Sequence, residues 1–128
     1  MSKVLVLHTG GRDHYEVAYG LYEADMLSSL VTNGYDHSDN SSNILYNFSF
    51  VKNKIKSRKK AEIPDSLIKS YLTPELVVNC AKLFSEMAYN HAYAWQEKFL
   101  ALKAAEIALK SKCDAVLSYN YCAYHVFD

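Results

Sequence analysis

The chain lacks the marks of a protein built on disulfides or on zinc. Cys80, Cys113 and Cys122 are its three cysteines, and no two of them form a CxxC pair. Scattered thiols of this kind set up no disulfide framework and fit a reducing cytosol. The ligand spacings of a zinc site are missing too, so no metal is expected. Net charge is also missing, because 14 basic residues balance 14 acidic ones. A dedicated nucleic-acid binder carries a basic excess, so nucleic acid is not the expected partner. Long apolar runs are absent. Val4 to Leu7 is too short for a signal-peptide core, and nothing later reaches the roughly twenty uninterrupted apolar residues of a membrane span. A soluble, cytoplasmic protein is expected.

What is present suits one domain. Half of the 128 residues are hydrophobic, enough for a real core and too many for a disordered chain. Charge is placed unevenly. Residues 1–50 hold only Lys3 and Arg12 against six acids. Then Lys52, Lys54, Lys56, Arg58, Lys59 and Lys60 crowd together. One reading of this run is a solvated loop or helix end. The other is a patch for phosphates, on a polyanionic substrate or at a membrane surface, which would make the protein peripheral to a membrane.

Val4 to Leu7 is a continuous apolar run of β-formers, the pattern of a strand buried on both faces of a parallel sheet. His8 to Arg12 is loop. Asp13, with Glu16 three residues on, reads as a helix cap in capping-box style. The helix extends to about Met26, with Val17, Ala18, Leu21 and Tyr22 as its apolar stripe. Ser29 to Thr32 is a second strand, ended by Asn33-Gly34. Residues 36–43 are a polar Ser/Asn-rich loop, and Ile44 to Val51 is a strand or an aromatic-packed loop. Pro64 and Asp65 open a short helix through about Tyr71. Thr73-Pro74-Glu75 starts another helix. Its pattern continues to Ser111, so a break is expected near Tyr89 to Ala94. Leu100, Ala104, Ile107 and Ala108 form a core stripe. Lys112-Cys113-Asp114 is a turn, and Ala115 to Tyr119 is a last strand.

This alternation predicts an α/β fold, a Rossmann-like open parallel sheet flanked by helices. Such sheets bind ligands beyond the carboxyl ends of their strands. Gly10 and Gly11 would let the backbone approach a ligand closely. The following helix would aim its free N–H groups there, and Arg12 adds planar charged donors. The motif is GG rather than GxGxxG, and no acid follows at the distance that holds a ribose. The loop therefore reads either as a ligand-binding loop or as a structural turn. His14 is a candidate base by location, or a surface residue. The topology brings Asn120 and Tyr121 toward the same glycine loop.

The stretch Lys3 to Tyr35 resembles the opening of family-4 glycosyltransferases: a strand, a Gly-containing loop, and a helix ending in a phrase matched by Ala24-Asp25-Met26-Leu27 and Leu30-Val31-Thr32. Arg58 to Tyr71 is similar to the family's basic segment followed by proline, and Asp114 to Asp128 to its later strand and turn. The resemblance implies the N-terminal half of a GT-B architecture, two Rossmann-like domains facing across a cleft. Residues 1–128 would be a single, incomplete acceptor-side domain, since the family's ExxxxxxxE donor motif has no counterpart here. The complete enzyme would transfer a sugar, as a hexosyltransferase does, from a nucleotide-sugar donor to an acceptor hydroxyl. No further cofactor is implied. Carried over, Gly10 and Gly11 match the loop that approaches the donor phosphates and reacting centre, and Asn120 and Tyr121 match the cleft end of a later strand. His8-Thr9 departs from the form seen in one branch. The isolated chain is expected to be inactive and, with an uncovered strand edge at Ala115 to Tyr119, to self-associate. The alternative is a stand-alone Rossmann-like module that holds a phosphorylated small molecule without chemistry.

Overall fold

The computed structural model describes residues 1–10, 12–36, 53 and 55–119, with only the backbone of Arg12. In chain order the elements are β1 (Val4–His8), α1 (Glu16–Glu23), β2 (Leu27–Thr32), β3 (Ile68–Ser70), α2 (Leu72–Lys82), α3 (Glu86–Ser111) and β4 (Ala115–Ser118), with single 3-10 turns at Arg12–Tyr15 and Asp65–Leu67. The strands form one parallel sheet in the order β3-β2-β1-β4. This is an α/β, Rossmann-like arrangement. The order reverses at β1, with β2 and β3 to one side and β4 to the other, which makes β1 the switch point where such sheets open a crevice.

Period-two alternation sorts β1 between two helical layers. Leu5 and Leu7 pack with Val31 against Leu100, Ala101 and Ala104 of α3. Val6 points the other way, into a core with Leu30, Ile68, Ala18 and Tyr15. In β2 the pairing jumps from Val4↔Leu27 to Leu5↔Ser29. Ser28 is the extra residue of this bulge, and it lets Leu27 and Leu30 share one face although three positions separate them. Each fully buried Leu or Val contributes about 1.5–3 kcal/mol, so the continuous apolar run of β1 is what seats it centrally.

Three segments differ from the sequence expectation. The short helix expected from Pro64 to Tyr71 is a single 3-10 turn followed by β3, whose residues Ile68 to Ser70 pair with Leu30 to Thr32. Pairing with a buried neighbour overrides a local helix start. The long helical pattern breaks at Leu83–Ser85, and α3 then runs unbroken through Tyr89 to Ala94. Ser85 sets the break, because its side chain accepts from the Ala88 N–H at 3.0 Å and caps α3. Helix α1 stops at Glu23, where Asp25 turns to φ 55° and Met26 N–H bonds back to the Leu21 carbonyl. Pro74 lies in the first turn of α2, where its missing N–H is not needed. The segment Ile44 to Val51 lies outside the described residues.

Candidate functional site

Polar residues are buried at the carboxyl end of the sheet. His8, Thr9, Thr32 and Asn33 are each at most 6% exposed. They stand at or just beyond the ends of β1 and β2, and buried polar groups at that position are what needs explaining. Alternation divides them. His8 belongs to the α1 side, while Thr9 and Asn33 open to a cleft on the α3 side.

On the α1 side, the His8 ring lies between Tyr15 and Tyr119, with centroids 5.5 and 4.8 Å away. Its Nδ1 meets the Gly10 carbonyl at 3.0 Å and its Nε2 meets Asp13 Oδ1 at 3.1 Å. The carbonyl can only accept, so Nδ1 carries a proton. Asp13 also accepts from the Tyr15 N–H at 3.1 Å and from the Tyr119 hydroxyl at 3.2 Å. These bonds hold an unusual backbone. Asp13, His14 and Tyr15 all have φ between 49 and 61°. Left-handed angles cost a residue with a side chain roughly 1–2 kcal/mol each, and the fixed Asp13 carboxylate offsets part of that. The expected capping box is not formed, since Asp13 binds the N–H two residues on and α1 has no side-chain cap. Burial pushes the Tyr15 hydroxyl up to about 12. Burial also raises Tyr119, with Asp13 adding to it.

On the α3 side, Asn33 is the hub. Its Oδ1 accepts from the Gly10 N–H at 2.6 Å. Its amide nitrogen donates to Glu75 Oε2 at 2.5 Å and to Gln96 Oε1 at 3.0 Å. The other Glu75 oxygen accepts from Arg58 Nη2 at 3.2 Å and from the Asn79 amide at 3.3 Å. One amide thus ties the glycine turn to α2 and α3. Gly10 has φ +74°, and Gly34 has φ +49°. A Cβ at Gly34 would meet Arg58 Nη1 at 3.2 Å, so this glycine makes room for the guanidinium. Around the hub lies a cleft of about 240 Å³, reached by Thr9, Gly10, Asn79, Lys82, Tyr89 and Tyr93 among others. Among the described residues, the buried Thr9 hydroxyl and Arg58 Nη1 have no hydrogen-bond partner.

Of the residues singled out from the sequence, Gly10 lies on this cleft. His14 is exposed on the turn and does not line it. Gly11, Asn120, Tyr121 and the Arg12 side chain lie outside the described residues. His8, Asp13, Asn33, Glu75 and Gln96 were not legible as site residues. The basic run is only partly a surface feature. Arg58 turns inward to Glu75, and Lys60 bonds Glu16 at 2.5 Å beneath the Tyr19 ring, while Lys56 and Lys59 stay exposed. Among the described residues no group of three His, Cys, Asp or Glu could hold a metal ion, and no helix is long and apolar enough to cross a membrane. Comparison with protein-family models, with curated proteins and with solved structures gives no match to this chain.

Proposed function

We propose that this chain is the acceptor-side, N-terminal domain of a GT-B glycosyltransferase, and that a saccharide acceptor docks in the cleft at the ends of β1 and β2. The observation that carries this reading is the cleft itself: amides and a carboxylate pre-set by mutual hydrogen bonds, with Tyr89 and Tyr93 at its edge. Carbohydrates present closely spaced hydroxyls, and a site of fixed donors and acceptors beside aromatic rings suits them. Transfer would further need a base at the acceptor hydroxyl and positive groups on the leaving diphosphate. A second, donor-binding domain would supply the latter, so the chain alone is inactive.

Calorimetry with simple saccharides and with nucleotide-diphosphate sugars tests this. The chain should bind nucleotide-sugars no better than the sugars they carry, and should transfer nothing. Micromolar binding of a nucleotide-sugar by the chain alone would overturn the acceptor-side reading. The second reading, a module that binds a phosphorylated small molecule without chemistry, is favoured by Arg58 and Lys82 on the cleft. On the acceptor-side reading the chain also self-associates, whereas the stand-alone module would be a compact monomer. Among the described residues β4 is an edge strand, with Ala115 and Leu117 exposed, and such edges recruit other chains. Light scattering should show dimers or larger species, and a monodisperse monomer at all concentrations would refute this.

A further inference from the structure

We infer that the ligand of this cleft carries an oxyanion, a phosphate or a carboxylate, on a body the size of one sugar ring, with Lys82 and Arg58 as its anchors. The word sugar rests on the acceptor reading above. The oxyanion rests on the cleft's own charges.

The lining residues include two cations, Arg58 and Lys82, and one carboxylate, Glu75. Glu75 is engaged on both oxygens, by Arg58 and Asn79 on one and by Asn33 on the other. Its charge is matched by Arg58 at 3.2 Å. Lys82 makes no ion pair among the described residues, so among them the cleft lining carries one positive charge in excess. Donors are in excess as well. Arg58 spends Nη2 on Glu75, while the buried Nη1 has no partner among the described residues. The Thr9 hydroxyl, on a side chain more than nine-tenths buried, is also free among them. An acceptor-only group that can take several N–H and O–H bonds satisfies such a set, and an oxyanion is that group.

Size narrows the body. At about 240 Å³ the cleft lies below the roughly 300–1,000 Å³ of pockets for drug-sized ligands. A monosaccharide bearing one phosphate or carboxylate fits this scale, and a nucleotide-sugar exceeds it. The competing account is that Lys82, in the last turn of α2, only complements the helix dipole. That account predicts no ligand dependence on Lys82.

Calorimetry on the whole chain with glucose, glucose 6-phosphate, glucuronate and inorganic phosphate separates the two, with Lys82→Gln as the variant. Lys82 is exposed, so the substitution spares the fold. Glucose 6-phosphate, glucuronate or both should bind about tenfold more tightly than glucose, the scale of one charge-assisted pair. Lys82→Gln should erase most of that gain and leave glucose unchanged. A gain for the phosphate alone, or for both, supports the inference and identifies the anion. If no saccharide binds while inorganic phosphate binds wild type and not Lys82→Gln, the anion site stands and the acceptor reading falls. Equal binding of glucose and its charged analogues, insensitivity to Lys82→Gln, or no binding of any probe overturns the inference.

Discussion

The two ends of the sheet handle polar groups in opposite ways. At the amino end, charges meet in the open. Lys3 Nζ reaches the Asp25 carboxylate at 3.0 Å, with both side chains well exposed, and the Lys3 N–H reaches Asp114 at 2.7 Å. These contacts tie β1 to the turns before β2 and β4 at little desolvation cost. At the carboxyl end, His8, Thr9, Thr32, Asn33, Glu75 and Gln96 are all buried. Burying polar groups is costly unless each is bonded, and a fold needs no such network merely to close a sheet. The amino end is therefore built for connection. The carboxyl end keeps a polar interior with donors to spare, as a binding end does.

The comparison can be broken most strongly at Asn33. Asn33→Ala should cost about 3 kcal/mol or more, because it strips partners from the Gly10 N–H, Gln96 and a buried carboxylate. Denaturant melts check this, and a cost within the noise would mean that the hub is ornamental. Gly10→Val comes next. No atom lies within 4 Å of the added Cβ, so the expected loss of about 1–3 kcal/mol is backbone strain alone. An unchanged midpoint would place the turn in ordinary angles.

Tyr15 sharpens the contrast through pH. Its folded value is raised from 10.0 to about 12, chiefly by burial. The unfolded chain therefore loses this proton first as pH rises. Stability is intact below pH 10 and falls between 10 and 12, by about 1.4 kcal/mol per unit at most. Melts of wild type and Tyr15→Phe across that window should diverge, with wild type losing more. The smallest effect belongs to the amino end. Lys3→Gln should change stability by about 0.5 kcal/mol or less, as exposed pairs do. A cost rivalling that of Asn33→Ala would erase the distinction between the two ends.

The frame of the fold was legible because local pattern and tertiary role agree there. Val4 to Leu7 reads as buried on both faces, and Leu5, Val6 and Leu7 are buried while Val4 is half-buried; Leu100 and Ala104 read as a core stripe and pack on the sheet. Strand β3 was hidden because three residues carry no period, and Pro64-Asp65 in front of them imitates a helix start. The glycine turn was visible at Gly10, but its partner was not. Asn33-Gly34 looked like a strand end followed by a turn, whereas its amide points inward to residues 42 and 63 positions away. Glu75 looked like a helix-dipole acid, and its bonds to Arg58 and Asn33 depend on the chain returning through space. Spacing in sequence cannot reveal contacts of that range. Asp13 misled for a related reason: its carboxylate has the chemistry of a cap, and His8 and Tyr119 take it up instead.

Mapping of amide chemical shifts during titration with glucose 6-phosphate tests most directly whether the carboxyl end is the binding end. The account predicts shifts concentrated at Thr9, Gly10, Asn33, Asn79 and Lys82, with Lys3, Asp25 and Asp114 unmoved. Shifts centred on the amino end, or spread evenly along exposed lysines such as Lys56 and Lys59, would contradict it.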